Sequence, residues 1–200
     1  MLAVLSNHRR SAATPIELQQ ALRLLGWPIR VDGVIGEQTA EAVRDFQRGF
    51  AFSTLVAGVG VGPRTREALR TAIRRGGRCS LHFTFRDFRS PGSGWIKLDR
   101  ALVRALETYR AELGAPVVVL SGYRDARWNR AHGGLRRSQH LHGTAADVEP
   151  AMTVDEVRAL RVFSGIGVDG ASERVRHVDV RHAGPNPGRA SVARPAVFEL

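Results

Sequence analysis

Cysteine is almost absent from the chain, and its scarcity excludes two kinds of stabilising site. Cys79 is the only cysteine among 200 residues. A disulfide within the chain is therefore excluded, and so is a structural zinc site built from cysteine pairs. We interpret Cys79 as a residue without a role in function.

Long apolar runs are absent as well. No run approaches the roughly 18 apolar residues that suggest a membrane span, so we expect no stable insertion into a membrane. The start, MLAVLSNHRR, has five apolar residues and no preceding positive segment, which is too little for a signal peptide. If the protein acts outside the cytoplasm, something else must release it.

Lysine is nearly missing, so arginine supplies almost all of the positive charge. Lys97 is the only lysine, and the formal net charge is +11. A basic chain prefers polyanions, which include nucleic acid, anionic membranes and cell-wall polymers. The charge is spread along the chain rather than gathered in a basic arm, and no recognition helix is evident. We therefore expect no nucleic-acid partner.

The first half of the chain contains a repeated helical pattern. In TPIELQQALRLLG, Thr14 and Glu17 predict a capping box at the start of a helix, and Gly26 predicts its end. The segments VDGVIGEQTAEAVRDFQ and AGVGVGPRTREALR align with an offset of 26 residues, Thr39 on Thr65. Three short helices without a cluster of reactive side chains indicate a binding unit.

These motifs resemble the peptidoglycan-binding domain of the three-helix type over residues 13–73. Its pattern DGxxGxxT…AVxxFQ is present in the first copy, whereas the second has Gly58 where Asp32 stands in the first. A wall contact made through Asp32 would therefore exist at most once, and the alternative is that these turns only cap helices. We expect domains at residues 1–73 and 80–200, joined by a linker at 74–79 that includes the glycines of RRGGR.

The second half mixes helices and strands. Residues 98–113 predict an amphipathic helix, PVVVLSG a buried strand, and Thr153 with Glu156 a second capped helix. Residues 174–182 alternate, with His177 and Asp179 on the face opposite the valines. The Pro- and Gly-rich tail predicts irregular structure that wraps the domain.

The segment SQHLHGTAAD, residues 138–147, concentrates candidate metal ligands. A zinc hydrolase needs three ligands from His, Asp or Glu and an open position for water. The small residues between His140 and Asp147 let the backbone bend so that the two converge. A third ligand is available in HVD, at His177.

The pattern S-x-H-x2-G-x-A-x-D, preceded by SGYR and followed by HVDVR, resembles the zinc D-Ala-D-Ala carboxypeptidase and endopeptidase family from about residue 82 to 181. The resemblance implies an α+β fold shared with the hedgehog domain, with a small antiparallel sheet, one Zn²⁺ and cleavage of peptide bonds in peptidoglycan. It also implies His140, Asp147 and His177 as zinc ligands, with Arg124 steadying the substrate carbonyl or the oxyanion.

The general base is open, because Arg174 stands where many relatives place an acid three residues before the last ligand. Asp179 shares a strand face with His177 and is the first candidate. Glu173 is the second, since a bulge could bring it in. In the third alternative DVRH is the motif, with Asp179 as base and His182 as ligand in place of His177.

The resemblances imply a modular cell-wall hydrolase that binds peptidoglycan and cuts its peptides. We expect a monomer, made in the cytoplasm, that acts on the wall after release, as a phage endolysin does. The alternatives are a bacterial D-Ala-D-Ala carboxypeptidase for wall remodelling and a non-catalytic wall-binding protein that uses zinc only structurally.

Overall fold

The computed structural model describes residues 14–58, 60–170, 174–181 and 195–200. These residues form α-helices, two short 3-10 helices and one five-stranded sheet. The helices are α1 Pro15–Leu25, α2 Glu37–Gly49, α3 Pro63–Arg74, α4 Arg100–Leu113, α5 Ala126–Ala131 and α6 Val154–Ala159; the strands are β1 Val118–Ser121, β2 Ala145–Glu149, β3 Gly165–Asp169, β4 Arg174–Asp179 and β5 Ala196–Glu199. The 3-10 helices are Phe85–Phe88 and Gln139–His142. In this described part of the chain, no helix is long and apolar enough to cross a membrane.

Helices α1 to α3 form a helical lobe, residues 14–74. The predicted capping box is present at the start of α1, where Thr14 Oγ1 accepts a hydrogen bond from the Glu17 amide and the Glu17 carboxylate accepts one from the Thr14 amide. Gly26 ends the helix with a φ of 122°, a backbone conformation that favours glycine. The helix prediction for this stretch is confirmed.

The repeat in this lobe is organised by two buried glutamines that the sequence pattern did not single out. Gln19 Nε2 donates to Asp32 Oδ1, 2.8 Å away, and lies 3.2 Å from Thr39 Oγ1. Gln47 Nε2 contacts Thr65 Oγ1 in the same way, at 3.0 Å. Each glutamine thus ties a glycine-rich turn to the threonine in the first turn of the next helix. Asp32 takes part in this network and shapes its own turn.

The sheet belongs to a second lobe, which begins near residue 80, and has the strand order β1-β2-β4-β3-β5. Strands β1, β2, β4 and β3 pair antiparallel, as expected, whereas β5 runs parallel to β3. The prediction of an irregular tail is therefore wrong for residues 196–199, because the chain returns to the free edge of β3 and pairs with it. The α+β class is confirmed, with a mixed sheet in place of an antiparallel one.

Helix α4 begins and ends as the sequence predicts. Asp99 caps it by accepting from the Ala101 amide, and Gly114 ends it in the left-handed conformation. Its buried stripe includes Leu102, Leu106 and Tyr109, which belong to the same apolar core as the inner face of the sheet.

Strand β1 differs from its predicted burial. Val118 and Leu120 are 57% and 55% exposed. The reason is that β1 lies at the edge of the sheet and pairs with β2 alone, so one of its faces remains in contact with solvent. The apolar run in PVVVLSG predicts a strand, but it does not show whether that strand lies at the edge or in the centre of the sheet.

The two lobes share one continuous apolar core. The ring centroids of Trp27 and Phe85 lie 5.1 Å apart, and those of Phe46 and Phe85 lie 5.3 Å apart. Polar contacts also cross the boundary, since Trp27 Nε1 donates to the Ile96 carbonyl and Trp95 Nε1 donates to Asp45 Oδ2. The helical lobe is therefore packed against the second lobe as part of one body.

The segment between the lobes is itself part of this packing. Cys79 is fully buried, and its carbonyl accepts from the Ala51 amide at 2.8 Å. Gly76 and Gly77 adopt positive φ and make a tight turn that leads the chain from α3 into the core. The glycines of this segment thus shape a turn, and the domain boundaries at residues 73 and 80 stay a prediction.

Candidate metal centre

The three predicted ligands converge on one face of the sheet. His140 lies in the 3-10 helix that precedes β2, Asp147 lies in β2, and His177 lies directly opposite Asp147 in β4. The strand pairing therefore brings together two residues that are 30 positions apart in the sequence. Both histidines are buried, and the Asp147 side chain is 22% exposed.

One donor atom from each residue forms a nearly equilateral triangle. His140 Nε2 lies 3.2 Å from Asp147 Oδ1 and 3.1 Å from His177 Nδ1, and His177 Nδ1 lies 3.0 Å from Asp147 Oδ1. Ligand atoms about 2.1 Å from a tetrahedral zinc lie roughly 3.4 Å apart. The spacing and the donor types therefore fit one Zn²⁺, with the fourth position left for a small molecule.

The ring of His140 is oriented by the backbone. Its Nδ1 lies 2.6 Å from the carbonyl oxygen of Gly122, which can only accept a hydrogen bond. The proton of the neutral ring is therefore on Nδ1, and the lone pair of Nε2 points into the triangle. This arrangement fixes the tautomer that metal binding requires.

Asp147 divides its two carboxylate oxygens between two tasks. Oδ1 faces the histidines, while Oδ2 accepts from Nη2 of Arg124. Burial by itself would raise the pKa of Asp147, but the hydrogen bonds to His140 and His177 outweigh it and hold the pKa well below its usual range. The carboxylate therefore remains charged and ready to act as a ligand.

Arg124 lies at the edge of the cluster, where the loop after β1 begins. Its Nε donates to Ser121 Oγ at 2.8 Å, and its backbone amide donates to the carbonyl of His140 at 3.1 Å. The side chain is 25% exposed. Arg124 thus contacts a predicted ligand and retains access to the solvent-facing side of the cluster.

His177 uses its two ring nitrogens in opposite directions. Nδ1 faces the triangle, and Nε2 lies 3.4 Å from Asp179 Oδ2. Burial would lower the pKa of His177, but the hydrogen bonds with Asp147 and Asp179 raise it above its usual value. The ring is thus held between two carboxylates.

The acid that the sequence favours as general base, Asp179, lies behind His177. It is fully buried and pairs with Arg181 through both carboxylate oxygens. Burial would raise the pKa of Asp179, and the contacts with Arg181 and His177 lower it to about 2. The His177 ring thus separates Asp179 from the centre of the triangle.

The other sequence candidates lie either outside the described residues or outside the triangle. Glu173 and His182 lie outside the described residues. His142, next to the cluster in sequence, is exposed at the end of the 3-10 helix. Among the described residues, only His140, Asp147 and His177 are grouped closely enough to hold a metal ion.

Comparison with known families agrees with this geometry. The model of the peptidase M15 family matches residues 81–181, about half of the chain, and this match contains all three residues of the triangle. The chain belongs to the peptidase M15 family. A second model, for a peptidoglycan binding domain, matches residues 11–69 of this M15 chain and thus most of the helical lobe.

The M15 chain is also similar in sequence to a curated protein. The zinc D-Ala-D-Ala carboxypeptidase of Streptomyces albus G is 28% identical over 146 residues, which cover 65% of this chain. The match spans 56% of the relative's length. The metal in the relative's name is the one that the donor set of the triangle fits.

Gly143, the glycine of the motif between His140 and Asp147, adopts a φ of 69° and lies against the backbone of Lys97 and Leu98, so it ends the 3-10 helix that carries His140. Sequence reasoning missed several other residues that build the M15 site. Gly165 and Gly167 of β3 face Asp179 and His177, and Phe198 of β5 packs on the His177 ring. The alternating glycines of GIG could have indicated these contacts. Glycine weakens the interior of a strand, so its presence there often marks a place where another group packs closely against the backbone.

Proposed function

We propose that this M15 chain is a zinc-dependent peptidase that cleaves peptide bonds in the stem peptides or cross-links of peptidoglycan. The observation that carries the proposal is the triangle of His140, Asp147 and His177, whose donor spacing suits a single tetrahedral Zn²⁺. The two family matches support it, because they place a peptidase and a peptidoglycan binding unit in one chain.

The residues of the triangle would hold the metal, and Arg124 would act beside it. Zinc bound there supplies a Lewis acid for a peptide carbonyl and lowers the pKa of a coordinated water. The guanidinium of Arg124 lies on the Oδ2 side of Asp147 and is partly exposed, so it can stabilise negative charge that develops on the substrate oxygen. Ser121 holds this guanidinium in place through Nε.

The proton acceptor of the reaction is Glu173 in this proposal. The sequence left Asp179 and Glu173 as candidates, and the carboxylate of Asp179 is fully buried behind His177 with Arg181 on both of its oxygens. A general base must lie within hydrogen-bond reach of the proton that it takes. Glu173 lies outside the described residues, and its position four residues before His177 in the sequence supports the assignment.

The helical lobe would bind the wall and present the peptidase in a constant orientation. Its match to a peptidoglycan binding domain supports the binding role, and the shared core through Trp27, Phe46 and Phe85 supports the constant orientation. A flexible tether raises the local concentration of substrate, whereas a fixed lobe also selects the direction from which a stem peptide enters the site.

The finer role that we propose is that of an endolysin, acting as a monomer. The combination of a wall-binding lobe and a peptidase in one chain supports this role. The second candidate is a D-Ala-D-Ala carboxypeptidase for wall remodelling, which the name of the Streptomyces albus G relative favours. Lysis of whole cells by added protein supports the first role, and release of free D-alanine without lysis supports the second.

Loss of turbidity from purified cell walls tests the enzymatic proposal against a purely binding role. We expect wild-type protein to clear the walls and His140→Ala to sediment with them without clearing. His142→Ala is the matched control, because His142 lies in the same 3-10 helix but is exposed and outside the triangle. Wild-type protein that carries zinc and sediments with walls, yet neither clears them nor releases peptides, would contradict the proposal.

A further inference from the structure

We propose that Asp179 and Arg181 form a buried pair that positions His177 for metal binding, and that Gly165 exists to make room for this pair. The inference rests on the proposed function, because it assigns these residues a task at the same metal site. It makes Asp179 a positioning residue that acts through His177, in place of the proton acceptor that the sequence favours.

The first step of the argument concerns the two ring nitrogens of His177. Nδ1 points into the triangle, 3.1 Å from His140 Nε2 and 3.0 Å from Asp147 Oδ1. A metal ligand must offer a lone pair, so the proton of the neutral ring has to be on Nε2. Asp179 Oδ2 lies 3.4 Å from Nε2 and is the acceptor for that proton. A carboxylate behind a histidine fixes its tautomer and raises its basicity as a ligand.

The second step concerns the rigidity of Asp179. Oδ1 accepts from the Arg181 amide at 3.1 Å and from Arg181 Nε at 2.7 Å, and Oδ2 accepts from Arg181 Nη2. The carboxylate is fully buried, so it is held by protein groups and is closed to water. An arginine that binds both oxygens at once fixes the carboxylate in position as well as neutralising it.

The third step explains the glycines of β3. Gly165 pairs with Asp179 and Gly167 pairs with His177 across the β3–β4 pair. A Cβ at Gly165 would overlap the Asp179 carboxylate and lie 2.6 Å from Arg181 Nη2, while one at Gly167 would lie 2.9 Å from His177 Cβ. Real Cβ atoms do not approach other atoms this closely. The strand beside the site therefore lacks side chains where the pair and the ligand need space.

The fourth step separates this role from that of a general base. A base must exchange its proton with a substrate or with water. Both oxygens of Asp179 are already engaged, and the ring of His177 stands between this carboxylate and the triangle. The geometry suits a group that orients a ligand and does not suit one that shuttles a proton.

Zinc affinity, measured by competition with a chromophoric chelator, tests the inference. Replacement of an outer residue that orients a metal ligand typically costs about 10-fold to 100-fold in metal affinity. We expect a loss of this size for Asp179→Ala. Asp179→Asn should retain more affinity, because its amide oxygen can still accept from Nε2. The absorption spectrum of the Co²⁺-loaded protein should also shift in Asp179→Ala, because the His177 ring is no longer held in one orientation.

Glu149→Ala is the matched control. Glu149 also pairs with an arginine across β2 and β4, at 2.6 Å from Arg176 Nη1, but it does not contact the triangle. We expect its zinc affinity and its Co²⁺ spectrum to match those of the wild type. Gly165→Ala provides a second route to the same result, because it displaces the Asp179 carboxylate without removing it. It should lose zinc affinity even if Asp179→Ala fails to fold.

Two results would overturn the inference, and only the second of them is also a failure of the proposed function. If Asp179→Ala and Gly165→Ala fold and bind zinc as tightly as the wild type, Asp179 does not position His177. If these variants also lose all activity, the role of general base is restored to Asp179. If the wild-type protein itself binds no zinc, the proposed function fails and the inference falls with it.

Discussion

Nδ1 of His177 lies 3.0 Å from Oδ1 of Asp147, directly across the β2–β4 strand pair. Because the two donors come from directly paired residues of neighbouring strands, the backbone of the sheet sets their spacing. Loss of a residue that only orients a metal ligand weakens metal binding by up to about 100-fold. We predict that Asp147→Ala weakens zinc binding by more than this, because it removes a ligand. Isothermal titration with Zn²⁺ measures this. Wild-type affinity in this variant would show that Asp147 is not a ligand.

We predict that Gly143→Ala abolishes the metal site, whereas Gly133→Ala does not. Both glycines have a φ near 70°, so both substitutions carry a similar backbone strain. A Cβ at Gly133 would meet nothing within 4 Å, but one at Gly143 would lie 2.8 Å from the Leu98 amide nitrogen and overlap the Lys97 carbonyl. The difference between the two variants therefore measures the effect of the close packing of Gly143 on residues 97 and 98, which holds the 3-10 helix of His140 in place.

Zinc content of the two purified variants, measured by atomic absorption, is the readout. We expect Gly133→Ala to retain about one zinc per chain and Gly143→Ala to retain much less. Equal zinc content in the two variants would mean that the contact of Gly143 with residues 97 and 98 has no part in placing His140.

The metal triad could be predicted from the sequence because its signals are local. His140 and Asp147 fall in one short motif of small residues, and His177 falls in a strand whose alternation is visible in the sequence. The surroundings were not predictable in this way. Gly167 and Phe198 come from β3 and β5, and only the pairing of β3 with β4 and β5 brings them to His177.

Removal of a large side chain from the core between the lobes should destabilise the whole protein. Trp27 is 1% exposed and packs on Phe85 of the other lobe. We predict that Trp27→Ala lowers the free energy of unfolding by about 3–5 kcal/mol. We also predict that the transition remains single. Urea unfolding followed in parallel by far-UV circular dichroism and by fluorescence of the remaining tryptophans measures both.

Val56→Ala is the control for this experiment, since Val56 is 64% exposed and belongs to the same lobe as Trp27. Its effect should stay within about 0.5 kcal/mol. Two separate transitions in the wild-type protein would contradict the shared core and restore the picture of two independent domains.

The carboxylate of Asp45 should reduce stability at neutral pH. Asp45 is 5% exposed and accepts from Trp95 Nε1 at 2.9 Å across the lobe boundary. Burial raises its pKa, and the hydrogen bond from Trp95 only partly opposes this. A folded-state pKa above the unfolded value means that the folded protein binds the proton more tightly. Stability therefore decreases as the pH rises through these values.

We predict that Asp45→Asn is more stable than the wild type at pH 7, because asparagine accepts the same hydrogen bond without a charge. The advantage should vanish below about pH 4, where the wild-type carboxyl becomes neutral. Asp45→Ala, which leaves Trp95 Nε1 without this acceptor, should be less stable than both at either pH. Thermal unfolding of the three proteins between pH 3.5 and pH 8 tests this order, and equal losses in Asn and Ala variants at pH 7 would refute it.

The joint between the lobes shows where sequence patterns are ambiguous. RRGGR has the composition of a flexible linker, yet Gly76 and Gly77 serve a tight turn and Cys79 enters the core. The composition records only that glycine is needed there. Whether it supplies freedom or a positive φ depends on contacts made in the folded chain, such as the hydrogen bond from the Phe85 amide to the Gly77 carbonyl and the one from the Ala51 amide to the Cys79 carbonyl.

Mass spectrometry of the fragments released from purified peptidoglycan tests the central claim most directly. Digestion should be run with the wild-type protein, with a chelator, and with zinc added back. We predict new amino and carboxyl termini within stem peptides or cross-links, which disappear with the chelator and return with zinc. Their positions identify the bond as D-Ala-D-Ala, a cross-bridge bond or L-Ala-D-Glu. Stem peptides that stay intact at high protein concentration with zinc present would contradict the claim that this M15 chain is a peptidoglycan peptidase.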